Sequence, residues 1–222
     1  KKSNTINESI SSLCKLEMNL IRIAQILQQA KQSTFSYFTI DQRMNFDVLK
    51  LCDKLNSFCS YLFSSNTNYQ SIDGVLFEKI ENKNPTTLSI YPAGNRNEVY
   101  FIPSYISIIS AQSFRSTKYL RSIIIPDSVT TMGDDVFSYA DQKISLLFTK
   151  ANPPCNKRML EYTHNYYVKT NVTETTDICG YKVTNTLTII KNTIGTTASF
   201  IYDSMDKAIY VYGSGKMIDV PN

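Results

Sequence analysis

The chain has 222 residues, 42% hydrophobic and 19% charged, with a formal net charge of +4 from 23 basic and 19 acidic side chains. Those proportions belong to a folded chain with a sizeable core and exclude wholesale disorder or a collagen-like or mucin-like polymer. The charge balance is mild and no Lys/Arg run of five or more occurs, so no nucleic-acid partner is expected.

One His and no Trp leave few side chains for acid–base chemistry at neutral pH, and no enzyme is expected. No apolar stretch reaches the roughly 18 residues that a spanning helix needs, so no membrane span is expected. Five cysteines without CxxC or Cys/His spacing suggest neither a disulfide scaffold nor a metal site. Reduced, buried thiols are the expectation, with no metal and no cofactor. The start at Lys1, without Met, suggests an excerpt of a longer polypeptide.

In chain order, residues 5–31 carry an amphipathic helical pattern, because Leu13, Leu16, Leu20, Ile23, Ala24, Leu27 and Ala30 recur at three- and four-residue steps. Thr5 and Glu8 supply a capping-box signature. A second helix is predicted over 41–63, with Val48, Leu51, Cys52, Leu55, Phe58, Cys59 and Leu62 on one stripe. Cys52 and Cys59 read there as core filler. The two segments predict a helical hairpin over 1–68, closed by the polar stretch Ser64–Asn68.

Beyond residue 68 the pattern changes to short extended runs with an internal repeat. Tyr100-Phe101-Ile102-Pro103 and Ile123-Ile124-Ile125-Pro126 lie 23 residues apart, and each is followed at the same interval by a phenylalanine, Phe114 and Phe137. The stretch Leu120–Phe137 resembles the repeat of BspA-like leucine-rich repeat proteins. Ile72–Phe77 and Leu88–Gly94 are similar to the opening turn of such an array. Ile144–Phe148 with Asn152-Pro153-Pro154 is similar to a closing turn, so the resemblance covers about residues 72–168. Cys179-Gly180 and Ile209–Met217 resemble the β-rich start of a further module, near 179–219.

The expected fold class is therefore α+β: a helical hairpin (1–68), a short leucine-rich repeat solenoid (69–168) and a β-rich segment (169–222). One repeat cannot bury its apolar side alone, so stacked repeats share a core beneath a parallel sheet. Val99 or Tyr100, Ile102, Phe114, Leu120, Ile123, Ile125, Val129, Met132 and Phe137 are expected to point inward. Pro103 and Pro126 end their strands, since proline cannot donate to a ladder.

Alternation across the strands then puts Ile90, Phe101, Ile124 and Phe148 on the outer face. Such an apolar row demands a cover. Either an external partner occupies it, with Glu98, Arg121 and Ser145 as polar rim, or the helical hairpin packs over it.

Other motifs have structural readings. Cys155 and His164 lack any sign of orientation as nucleophile and base. Gly213-Ser214-Gly215 lacks P-loop spacing. Asn7-Glu8-Ser9 and Asn171-Val172-Thr173 match the glycosylation sequon, which permits secretion without requiring it. The resemblance implies a non-catalytic protein-binding module, a cell-surface or secreted adhesin contacting a host-cell or matrix protein. The alternative is a cytoplasmic scaffold that docks neighbouring subunits.

Overall fold

The computed structural model describes residues 50, 57–58, 67–79, 84–149, 153–154, 156–163, 166–170, 177–191 and 199–212. Each turn of the coil is short, and its apolar side chains alternate, so successive turns can share one interior.

Among the described residues, fourteen strands form three sheets. The first has five strands: β1 (Tyr69–Ile72), β2 (Val75–Glu78), β3 (Thr87–Ile90), β5 (Ile108–Ile109) and β7 (Thr131–Met132), in the order β1-β2-β3-β5-β7. The second has six: β4 (Val99–Phe101), β6 (Ser122–Ile125), β8 (Ile144–Phe148), β9 (Tyr166–Thr170), β10 (Asp177–Ile178) and β11 (Tyr181–Thr186), in the order β10-β11-β9-β8-β6-β4. The third is a small antiparallel sheet of β12 (Thr188–Lys191), β13 (Ser199–Asp203) and β14 (Ala208–Tyr212).

The chain winds between the first two sheets, pairing in parallel along β3-β5-β7 and along β4-β6-β8-β9. This is a β-solenoid with the 23-residue period of the sequence. Register follows the period: Phe101 pairs with Ile124 and Ile124 with Leu147.

The interior holds Ile102, Phe114, Leu120, Ile123, Ile125, Val129, Met132 and Phe137, as the repeat predicts, and Tyr100 rather than Val99 packs against them. At the turn away from the six-stranded sheet, Tyr91 stacks on Phe114 at 5.1 Å between ring centroids, and Phe114 meets Phe137 at 5.3 Å. Rings one period apart thus form a continuous internal column, whose contacts add to their burial.

Backbone approach is close at Gly133. A Cβ there would lie 2.3 Å from the amide nitrogen of Ala111 in the preceding turn, so only glycine fits.

Two expectations are corrected. The fold class of the described residues is all-β, not α+β, since no α-helix occurs among them. The hairpin over 1–68 falls almost wholly outside the described residues. Where residues of its second helix are described, Lys50 lies in a 3-10 turn while Ser57 and Phe58 are not helical. The Phe58 amide donates to the Gly74 carbonyl and its carbonyl accepts from Ser71 Oγ, ties a continuous helix would not leave open.

The second correction concerns the cysteines. Cys179 is disulfide-bonded, not a reduced thiol. Its Sγ lies 3.6 Å from the carbonyl oxygen of Pro154. The pairs Cys52/Cys59 and Cys155/His164, both sequons and the Gly213-Ser214-Gly215 segment lie outside the described residues.

Candidate functional site: the outer face of the six-stranded sheet

Alternation along the strands builds two parallel rows on the outer face. Phe101, Ile124, Leu147 and Lys169 occupy one register line, and Val99, Ser122, Ser145 and Tyr167 the other. The first row is apolar until its last member.

Among the described residues the cover over these rows is one that neither expectation named, and the helical hairpin expected there lies almost wholly outside them. This cover is the small antiparallel sheet: Ile124 and Leu147 form a second, separate core with Leu187, Ile201 and Tyr210, and Phe101 and Ala208 pack against it. Alternation along β13 and β14 explains the fit, because Ile201, Asp203 and Tyr210 turn toward the solenoid while Tyr202, Ile209 and Val211 remain exposed.

The polar row meets this sheet through hydrogen bonds. Ser122 Oγ lies 3.0 Å from the Tyr210 hydroxyl, and Ser145 Oγ donates to Asp206 Oδ2 at 3.4 Å. Lys169 Nζ donates to Asp203 Oδ2 at 2.5 Å and to Asp206 Oδ2 at 2.6 Å. Lys169 and Asp203 are fully buried, whereas the Asp206 side chain is partly exposed. The Lys169 ammonium also lies 5.4 Å from the Tyr167 ring centroid.

Burial opposes the charge on Lys169, but the hydrogen bonds to Asp203 and Asp206 outweigh it, and its pKa is raised. Burial likewise pushes Asp203 up, yet the hydrogen bond and charge of Lys169 overcome it, and the carboxyl falls below its ordinary range. The Asp203 Oδ1 atom accepts from the amides of Met205 and Asp206, which fixes the turn that presents both carboxylates.

The expected site residues are not brought together as one row. Ile90 is buried on the five-stranded sheet, opposite Leu76, because its strand belongs to the other side of the coil. Phe148 points inward, since Ile125 and not Ile124 is its register partner. Leu147 takes the outward place. Phe101 and Ile124 do face outward, beneath the small sheet. Ser145 faces Asp206. Glu98 and Arg121 form an exposed ion pair at 3.7 Å on the rim.

Sequence reasoning missed Leu147, Lys169, Asp203, Asp206 and Tyr210. The 23-residue offset from Ile124 reaches Leu147 directly; for Lys169 the only signal was its even spacing from Tyr167 along the strand.

A second ordered surface lies at the solenoid corner. Ser116, Tyr139 and Tyr162, 23 residues apart, all have left-handed backbone, with φ of 56°, 57° and 58°. The Tyr139 and Tyr162 rings are nearly parallel, 5.8 Å apart, and the Arg115 guanidinium carbon is 4.4 Å from the Tyr139 centroid. Both tyrosines are about half exposed, at 45% and 53%. Bulky side chains rarely adopt this backbone, so two in register cost stability that small residues would spare.

No family model and no curated protein matches the chain. Solved structures that are similar to it include a leucine-rich cell surface protein from Faecalibacterium prausnitzii, 24% identical with a TM-score of 0.38, covering 50% of this chain and 31% of that one. A leucine-rich repeat protein from Eubacterium ventriosum is 24% identical with a TM-score of 0.34, covering 49% and 34%. The pneumococcal vaccine antigen PcpA is 18% identical with a TM-score of 0.38, covering 59% and 38%. The chain thus spans about a third of the length of each of these molecules.

Proposed function

We propose that this chain is a non-catalytic protein-binding repeat module that works at the cell surface or outside the cell. The observation that carries the binding role is the corner stack Arg115–Tyr139–Tyr162, a guanidinium and two half-exposed rings held at the solenoid spacing. Tyrosine and arginine are the residue types that dominate protein contacts, and a stiff repeat scaffold loses little conformational entropy when they are engaged. The exposed Glu98–Arg121 pair lends a charged rim on another edge. The disulfide at Cys179 supports an oxidising compartment and weighs against a cytoplasmic scaffold.

The test is binding of purified chain to intact host cells and to immobilised matrix protein, compared with Tyr139→Ala/Tyr162→Ala. Removal of the paired rings is expected to weaken binding by about 30-fold or more, the loss typical of a central aromatic contact. Binding of the unaltered chain with no difference in the variant would reject the stack as the contact surface. No binding of the unaltered chain to either would reject the adhesive reading.

A further inference from the structure

Three observations meet on the outer face of the six-stranded sheet. The small sheet β12-β13-β14 is separate from it, and no strand ladder joins the two among the described residues. They are connected by side chains and by the chain at Leu187, whose amide donates to the Thr170 carbonyl at 2.7 Å. The core between them shares no residue with the solenoid interior, because the strands alternate and the two cores lie on opposite sides of one sheet. Finally, the apolar row of that face ends in the buried ammonium of Lys169, met by both carboxylates of one turn.

These facts define what the face accepts. An apolar strand pair would cover Phe101, Ile124 and Leu147 equally well with or without the acidic turn. Without it, Lys169 would be left charged and unpaired away from water, the arrangement that proteins tolerate least. The Tyr167 ring on the same strand and the Tyr210 hydroxyl also lie near the ammonium, and neither is a carboxylate.

We propose that the outer face of β6, β8 and β9 is a selective docking site for an apolar β-hairpin with an acidic turn. Its occupant is the chain's own small sheet β12-β13-β14, which acts as a cover that opens as a unit while the solenoid stays folded. Opening exposes the outer row and frees Lys169, but it removes no contact of the interior core. The solenoid therefore presents two forms of this face, one closed by its own small sheet and one carrying an apolar row with a cation at its end.

Hydrogen exchange on the full chain, resolved by segment, tests this. Amides of β13 and β14 are expected to exchange at least about tenfold faster than those of β6 and β8, as a unit of lower local stability does. Lys169→Met, which leaves Asp203 buried without its cation, is expected to speed exchange in β13 and β14 by at least about a further hundredfold and to leave β6 and β8 unchanged. Asp206→Asn, at a partly exposed position, is expected to give a smaller increase confined to the same segment and keeps the test alive if Lys169→Met fails to fold. Equal exchange in all these strands of the unaltered chain would overturn the proposal. So would a variant that speeds all of them together.

Discussion

Lys169 reaches across the gap between two sheets to Asp203, at 2.5 Å and with neither side chain exposed. Such a pair owes little to Coulomb attraction alone, because taking both charges out of water costs about what their attraction returns. Removing one partner is a different matter. Asp203→Leu or Lys169→Met is expected to destabilise docking of the small sheet by about 3–5 kcal/mol. Lys169→Met combined with Asp203→Leu is expected to cost much less than the two single changes summed. Urea unfolding followed by tyrosine fluorescence, run as a double-mutant cycle, measures both.

The same pair sets an acid dependence. The folded-state pKa of Asp203 is lowered from the ordinary 3.8, so its contribution is present above 3.8 and is lost as pH falls through the lower folded value. Lys169 is raised from 10.5, so its contribution is complete below 10.5 and is lost as pH rises through the higher folded value. Stability of the small sheet is therefore expected to be flat between those limits with respect to this pair and to fall outside them. Unfolding midpoints measured at acid pH should lose part of their slope in the Lys169→Met/Asp203→Leu variant.

Gly133→Ala is expected to destabilise the solenoid by several kcal/mol, because the added methyl meets backbone of the neighbouring turn at 2.3 and 2.6 Å and backbone has no rotamer in which to yield. Thermal unfolding checks this, and the loss should appear in the solenoid transition and not in release of the small sheet.

Tyr162→Asn separates binding from folding. The left-handed backbone at Tyr162 suits asparagine better than tyrosine, which offsets the loss of an exposed ring contact with Tyr139. Stability is expected to change by less than about 1 kcal/mol, while partner binding through the corner stack falls. Calorimetry and the cell-binding assay on the same preparation give the two readouts.

Peptide mapping without reduction is expected to find Cys179 cross-linked. Reduction is expected to lower stability by about 2–4 kcal/mol, the usual effect of opening such a link.

The repeat was legible because it is written twice over, as an apolar strand ending in proline and as an aromatic anchor further on. Ile102, Phe114, Ile125 and Phe137 all lie where that pattern put them. Ile90 was misplaced because Leu88-Ser89-Ile90-Tyr91-Pro92 reads like the strand of a repeat yet belongs to the other sheet, and nothing local distinguishes the two. Phe148 was misplaced by one residue, enough to reverse its facing.

Lys169 was not legible as a docking residue. A lysine in a strand reads as solvent-facing, and its reversal depends on Asp203, 34 residues away. The helical stripe through Phe58 was a true amphipathic pattern, but at that residue the backbone is claimed by Gly74 and Ser71 instead. The occupant of the outer face was missed for the same reason as Lys169: the complement to an apolar row lay in a segment whose own pattern shows only alternating strands.

The measurement that bears most directly on a surface-acting binding module is exposure on the cells that make it. Intact cells would be treated with a protease too large to enter, and the chain probed before and after lysis. Cleavage on intact cells, at the 203–208 turn among other places, is the predicted result. Complete protection until lysis would contradict the account.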